Sequence, residues 1–154
     1  MTPRRIAEAG HLASLAGQEL GVSDWLEITQ EQISAFAQAS RDHQWIHVEP
    51  DRARRESPYR TTIAHGFFTL SLIGELRRQV FEYDGPHRYA VNYGLNRVRF
   101  PAPVRCGSRI RGRFRLQAVE TLEDAVALTL LVTVEVEGEP KPAIVAEWLL
   151  RYYR

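Results

Sequence analysis

An aspartate and a nearby histidine are the first candidates for chemistry in this sequence. Asp42 and His47 lie in the segment RDHQWIH, residues 41–47, and a second histidine, His65, directly precedes Gly66 in TIAHGFF. A carboxylate and an imidazole that share one water molecule can remove a proton from it and supply another. The pair therefore predicts a site for proton transfer.

Gly66 is predicted to lie in the first turn of a helix, because a long apolar segment begins there. The free N–H groups of a first turn, at the positive end of the helix dipole, can stabilise a developing oxyanion. Glycine also lets a substrate carbonyl approach the backbone closely. The alternative is a glycine that only begins the helix.

A metal site is the rival interpretation of the same polar cluster. His43 and His47 have the i, i+4 spacing that places two imidazoles on one helix face, as in zinc proteases, and Asp42 and His65 could join them as ligands. No glutamate follows His43 as that motif requires, and Trp45 and Ile46 argue against a regular helix here. We therefore predict no metal site.

Other catalytic signatures are weak or absent. Cys106 lies just before a predicted strand with no histidine near it in sequence, which favours a structural role over a nucleophile. The sequence contains no G-x-S-x-G, G-x-G-x-x-G or P-loop motif. Alternating arginines at 109, 111, 113 and 115 indicate either a solvated sheet face or a strip that binds the phosphates of a nucleotide-bearing thiol cofactor.

Helices must position the candidate residues. Thr29 as N-cap with Gln32 three residues later forms a capping box, which predicts a helix that ends near Ser40 and leads into the loop of residues 41–47. The segment from Gly66, GFFTLSLIGELRRQVFEY, is apolar nearly all round in its first half. Such a helix is usually buried, so this one is predicted to form the centre of the core.

The flanking segments carry weaker signals. Residues 1–20 predict a short amphipathic helix and residues 22–28 a short strand. Residues 48–63 predict a loop with one helical turn.

After Pro86 the hydrophobic period changes to two, which predicts four strands, three of them long with one buried face each. The first is RYAVNYGLNRVRF, with a kink at Gly94, and the second places Ile110, Phe114, Leu116 and Ala118 on one face. The segments AVALTLLVTVEVE and AIVAEWLLRYYR complete the set. An antiparallel sheet wrapped around one central helix follows, which is an α+β fold.

Composition limits the classes of function. The 154 residues, 44% hydrophobic and 25% charged, predict one globular domain spanning residues 1–154, with residues 1–20 as a helical extension. A net charge of +1 gives no reason to expect a nucleic-acid partner. One cysteine excludes a disulfide scaffold, and no apolar run is long enough to span a membrane, so we predict a cytoplasmic location.

Three segments together resemble the MaoC-like dehydratases, which include the R-specific enoyl-CoA hydratases. They are RDHQWIH (41–47), TIAHGFFTLSLIG (62–74) and YGLNRVRFPAPV (93–104), and the resemblance covers residues 20–154. It implies a hot-dog fold, a catalytic pair of Asp42 and His47, and a substrate-binding group around His65 with the Gly66 amide near the thioester carbonyl.

One departure from the family pattern points to a branch. Gln44 and Trp45 replace the Asn-Pro of D-x-N-P-x-H, which puts the acyl preference in question and most resembles the branch of nodulation protein N. Ser71 and Asn96 fall at motif positions of that branch, which implies a role in lining or supporting the pocket.

The resemblance implies reversible hydration of a trans-2-enoyl thioester, carried by coenzyme A or an acyl carrier protein, without metal or redox cofactor. It also implies a homodimer with substrate tunnels at the interface. Two alternatives remain open: a hot-dog acyl-CoA thioesterase, and a non-catalytic subunit that binds acyl thioesters.

Overall fold

The structure, a computed structural model, describes residues 2–154. Helical segments fill most of the first half of the described chain, and long strands fill the second. In chain order the elements are β1 (Arg4–Ile6), α1 (Ala9–Ser14), β2 (Glu19–Val22), β3 (Leu26–Glu27), α2 (Gln30–Ser40), α3 (Trp45–Val48), α4 (Pro50–Glu56), α5 (Gly66–Ser71), α6 (Ile73–Val80), β4 (Phe81–Tyr83), β5 (Tyr89–Arg99), β6 (Arg109–Thr121), β7 (Ala125–Val136) and β8 (Ile144–Tyr153).

The main sheet is antiparallel and carries the core on one face. Its strand order is β2-β6-β7-β8-β5, and β3 also pairs with β6. The predicted period of two is confirmed by alternating burial along β7 and β8, whose apolar side chains form one core with those of α5 and α6. The α+β arrangement of a sheet around a central helix is therefore confirmed.

The central helix packs closely on the sheet at Gly112 of β6. A Cβ added to Gly112 would lie 3.0 Å from the Leu76 Cβ and 2.6 Å from the Phe114 ring. A side chain at this position would hold α6 away from the strand. Glycine thus sets the distance between the helix and the sheet.

The central helix differs from its prediction in two ways. It is divided at Leu72 into α5 and α6, and after Val80 the chain becomes the strand β4. The expectation that the first half is buried all round was wrong, because Phe67 is 71% exposed. One side of α5 is therefore left uncovered by this chain.

Bulges explain where the strand pattern fails. In β6 the register shifts between Leu116 and Ala118, so Ala118 is exposed and Val119 packs against the core instead. The prediction that Ala118 shares the buried face was therefore wrong. In β5 the register shifts on both sides of Gly94, which confirms the predicted kink.

Several local predictions need correction. The helix predicted in residues 1–20 is limited to α1, and Leu20 lies in β2. Residues 48–63 contain the helix α4, and Trp45 and Ile46 lie in the helical turn α3, which they had been taken to disfavour. The assignment of all 154 residues to one domain stays a prediction.

The arginine stripe is paired within the chain. Arg109 bonds to Glu137, and Arg111 and Arg113 both bond to Glu135, at 2.7 and 2.8 Å. Ion pairs on the outer face thus engage three of the four cations that a phosphate strip would need, and Arg115 donates to the Gly17 carbonyl. Among residues 2–154, no helix is both long and apolar enough to cross a membrane.

Candidate functional site

His47 lies in α3 and is 6% exposed. Its Nδ1 lies 2.6 Å from the carbonyl oxygen of Ile63. Since a carbonyl can only accept, Nδ1 carries the hydrogen, and in the neutral ring Nε2 is left with its lone pair. His47 is therefore arranged as a base or acceptor at Nε2.

Burial keeps His47 neutral. Desolvation lowers the pKa of His47, the hydrogen bond to Ile63 opposes this, and His65 lowers the pKa while Asp42 raises it. The net direction is downward, so the imidazole is uncharged at neutral pH. A neutral imidazole is the form that can accept a proton from water.

The first residues of α2 hydrogen-bond to the helical turn that contains His47. The predicted capping box is present, with Gln32 N–H donating to the Thr29 hydroxyl and the Gln32 side chain accepting from the Thr29 amide. Gln30 then donates from Nε2 to the His47 carbonyl at 2.8 Å and accepts from the buried Thr62 hydroxyl. The N-cap residue Thr29 is thus the direct neighbour in sequence of Gln30, which bonds to the His47 turn.

Asp42 lies just beyond the end of α2. Arg41 closes the helix with a left-handed backbone, φ 62°, and so turns the chain toward His47. The Asp42 side chain is exposed, and one ligand-type atom from each of Asp42, His47 and His65 lies within 4.8 Å of the other two. A carboxylate open to solvent therefore stands beside the buried imidazole, as the proton-transfer prediction requires.

His65 lies behind this pair. It is 3% exposed, and its ring stacks on His47 with centroids 3.8 Å apart at 24°. Its Nε2 lies 2.9 Å from the Asp42 carbonyl oxygen, while its Nδ1 is buried with no hydrogen-bond partner among the described residues. The buried His65 side chain thus contacts both the Asp42 main chain and the His47 ring.

Gly66 shares a cavity with His47. The cavity has a volume of about 300 Å³ and is also lined by Tyr59, Thr69 and Phe100. The first hydrogen bond of α5 runs from Thr69 N–H to the His65 carbonyl at 3.1 Å, so the amides of residues 66–68 precede the helical ladder. A Cβ on Gly66 would lie 3.0 Å from Phe100 Cδ1, so glycine keeps this wall open.

Ser71 and Asn96 lie elsewhere. Ser71 donates to the Phe68 carbonyl at 2.7 Å and borders an apolar groove of about 320 Å³ between α5 and the sheet. Asn96 is exposed on β5 and donates to Glu147 of β8. The structure brings Asp42, His47, His65 and Gly66 together, whereas the implied pocket roles of Ser71 and Asn96 stay predictions.

The metal interpretation meets a geometric obstacle. His43, which the spacing paired with His47, is exposed and is not among the clustered ligand atoms. His47 and His65 do cluster with Asp42, but their rings are stacked and nearly parallel. The in-plane lone pairs of two stacked, nearly parallel rings point in similar directions rather than toward one ion.

Sequence reasoning missed the supports of this site. Gln30, Thr62 and the Ile63 carbonyl hold His47, and Phe36 packs on His65 with centroids 5.0 Å apart. Of these, only Phe36 carried a signal, as part of the apolar face of α2. The other contacts join residues distant in sequence, which no spacing pattern records.

Comparisons with known proteins agree with this fold. The family model described as "MaoC like domain" matches residues 11–137. A protein named 3-hydroxyacyl-thioester dehydratase Z, from Mycobacterium tuberculosis (strain H37Rv), is 51% identical over 150 residues, covering 97% of this chain and 98% of its own. Nodulation protein N of Rhizobium meliloti is 46% identical over 139 residues, covering 90% of this chain and 86% of its own.

Solved structures show the same fold. An R-hydratase from Pseudomonas aeruginosa superposes with a TM-score of 0.70 at 21% identity, covering 90% of this chain and 82% of its own. The monoamine oxidase regulatory protein from Archaeoglobus fulgius superposes with a TM-score of 0.77 at 18% identity, covering 100% and 99% of the two chains. The hot-dog fold implied by the resemblance is confirmed.

Proposed function

Because the chain belongs to the MaoC-like domain family, we propose that it is a 3-hydroxyacyl-thioester dehydratase, which in reverse hydrates trans-2-enoyl thioesters to the (R)-3-hydroxyacyl product. The observation that carries this proposal is the closeness of the Asp42 carboxylate to the buried His47 imidazole, whose Nε2 is unprotonated, beside a cavity that His47 and Gly66 line. The name of the relative at 51% identity supports the thioester class.

In the hydration direction, Asp42 and His47 hold one water molecule between them. The water oxygen bonds to C3 of the enoyl thioester as the C2–C3 π electrons move toward the carbonyl. The pair takes a proton from the water and a proton is returned to C2, so that water is added overall. Acid–base help of this kind contributes roughly 10²–10⁴-fold.

The Gly66 amide is the proposed hydrogen-bond donor to the negative charge that develops on the thioester oxygen. This amide precedes the hydrogen-bond ladder of α5, and Gly66 lines the same cavity as His47. A donor aimed at the thioester oxygen stabilises the enolate-like charge more than the neutral substrate, which lowers the barrier by roughly 3–4 kcal/mol in comparable sites. Neither this role nor the proton transfer needs a metal or redox cofactor.

The partner we propose is a second copy of this chain. β5 is an edge strand of the main sheet, and the exposed apolar side chains include Phe67 of α5, Leu95 of β5 and Phe100 just beyond β5. A long open edge beside apolar side chains favours pairing with another chain. The cytoplasmic location stays a prediction that rests on the single cysteine.

The deciding experiment is hydration of crotonyl-CoA by the purified protein after dialysis against a chelator, with chiral analysis of the product. We expect the (R)-3-hydroxy thioester from wild type, and a loss in kcat of roughly 10²–10⁴-fold in Asp42→Asn and in His47→Gln. The exposed neighbour His43 gives a matched control, since His43→Gln should retain wild-type rates. No turnover by wild type on short or medium enoyl-CoAs, or full rates in both variants, would refute the assignment.

A thioesterase would need a carboxylate of the central helix in the site. Glu75 is the first acidic residue there, and Arg78 pairs with it at 2.7 Å, which lowers the pKa of the Glu75 carboxyl. Glu75 does not line the cavity of His47. We therefore expect no thiol release from saturated acyl-CoA.

Tight acyl-CoA binding without turnover would instead indicate a binding subunit.

A further inference from the structure

We propose that His65 is a positioning residue: it holds the Asp42 main chain against the His47 ring and so fixes the spacing of the two groups that bind the water. This inference deepens the proposed function and rests on it. His65 had been grouped with the substrate-binding residues, but it is 3% exposed, and the side chain contacts Asp42, His47 and Phe36.

The first argument is the way Asp42 is held. Asp42 belongs to a non-helical segment between α2 and α3, and its local hydrogen bonds, from its amide to Ser40 and from Gln44 to its carboxylate, are both 3.3 Å long. The bond from His65 Nε2 to the Asp42 carbonyl is 2.9 Å and spans 23 residues. The shortest of these contacts on Asp42 therefore comes from His65.

The second argument is the stacking. The His65 ring lies between the Phe36 ring, at 5.0 Å, and the His47 ring, at 3.8 Å. His47 is thus restrained by a flat ring on one face and by the Ile63 carbonyl at Nδ1. One side chain of the protein interior touches both members of the proposed pair, and its own peptide leads directly into Gly66.

The third argument is the unpartnered nitrogen. A phenylalanine would fill the same space between two rings with no buried polar atom, yet His65 leaves Nδ1 without a partner among the described residues. An unsatisfied buried polar atom calls for an explanation. The hydrogen bond from Nε2 to Asp42 provides this explanation. Because a carbonyl can only accept, Nε2 must carry the hydrogen, and the neutral ring then has an unprotonated Nδ1 with an unused lone pair.

Three substitutions distinguish the effect of the His65 hydrogen-bond donor from the effect of its ring. His65→Phe keeps a ring and removes the donor. His65→Gln removes the ring but can place an amide N–H near the position of Nε2. His65→Asn has the same polarity as the glutamine variant, but its shorter side chain ends near the position of Nδ1 and cannot reach the Asp42 carbonyl.

We expect kcat for crotonyl-CoA hydration to fall roughly 10–100-fold in His65→Phe and His65→Asn, because a misplaced group costs about this much. KM should change less than about threefold, since the substrate contacts remain. His65→Gln should stay within about fivefold of wild type. A ranking in which the phenylalanine variant is the most active, or glutamine and asparagine variants that lose equally, would overturn the proposal.

A second readout does not depend on turnover. In the wild-type protein without substrate, long-range 1H–15N spectra should show His65 protonated at Nε2 and His47 at Nδ1, and the Asp42 and His43 backbone amides should shift in His65→Asn but little in His65→Gln. A His65 protonated at Nδ1 alone would refute the positioning role. If these spectra are as expected while wild type fails to hydrate crotonyl-CoA, the proposed function fails and the positioning contact stands.

Discussion

At the scale of single residues, the two members of the proposed pair differ in their surroundings. His47 is buried and held by Ile63, whereas Asp42 is exposed at the end of α2. Two titratable groups in unequal environments can hold different protonation states at one pH. The pair thus gains its asymmetry from where the chain places it.

The lowered pKa of His47 predicts the acid limb of the pH profile. Activity that needs neutral His47 should be constant above about pH 6.5, the ordinary pKa of histidine, and fall at lower pH as His47 takes up a proton. A profile of kcat/KM between pH 4 and 8 measures this directly. Loss of activity that begins well above pH 6.5 would contradict the direction of the shift.

The same shift has a consequence for stability. Between the folded pKa and about 6.5 the unfolded state binds the proton more readily than the folded state, so the free energy of unfolding should decrease as pH falls through this range. His47→Gln should flatten that dependence in urea unfolding curves.

Gly66 should not tolerate a side chain. In Gly66→Ala the new Cβ would lie 3.0 Å from the Phe100 ring, on the wall of the cavity of His47. We expect kcat/KM for crotonyl-CoA to fall at least about tenfold with a small change in Tm. In the control Gly10→Ala, where nothing lies within 4 Å, activity should be unchanged and stability should rise by up to about 1 kcal/mol. Equal activity in both variants would contradict a role for the Gly66 backbone.

At the scale of elements, α2 connects local sequence to the site. The capping box starts the helix at Gln30, and Gln30 in turn holds the carbonyl of His47. The position of the catalytic turn is therefore set by the way a neighbouring helix begins.

Removing the cap should loosen this connection. Thr29→Ala should lower the free energy of unfolding by about 1 kcal/mol, because the first turn of α2 loses a hydrogen-bond acceptor. Chemical denaturation measures the change. Thr121→Ala, at the exposed end of β6, is the control and should stay within about 0.5 kcal/mol of wild type.

The elements also show what a sequence can and cannot predict. The capping box and the period of two in β7 and β8 are local patterns, and both predictions were confirmed. The bulge before Ala118 is a register shift between β6 and β7, and neither this shift nor the division at Leu72 is marked by a local pattern of residue types. His65 shows the same limit within the site, because its hydrogen bond is made to a main-chain carbonyl that any residue would supply.

At the scale of the whole molecule, β5 is an open edge of the sheet among residues 2–154. β5 pairs with β8 on one side only, and Tyr89, Tyr93 and Leu95 along it are each at least 40% exposed. Phe67 on α5 and Phe100, whose rings contact each other edge to face, are also exposed. These side chains define the surface on which the proposed second copy would pack.

The homodimer predicts a mass of twice 17.7 kDa in light scattering after gel filtration. Leu95→Arg places a charge on the proposed interface and should shift the protein toward monomer with a loss of activity. Leu131→Arg changes an equally apolar residue on β7, 39% exposed, and should leave the mass unchanged. A monomeric and fully active wild type would refute the assembly.

The left-handed backbone of Arg41 matters for engineering. A residue with a Cβ pays roughly 1–2 kcal/mol to hold such a φ, and asparagine is found there more readily than arginine. Position 41 ends α2 immediately before Asp42, outside the cavity of His47. Arg41→Asn should therefore raise Tm while Asp42 and His47 keep their positions, which makes the end of a helix, rather than the core, a target for a heat-resistant variant.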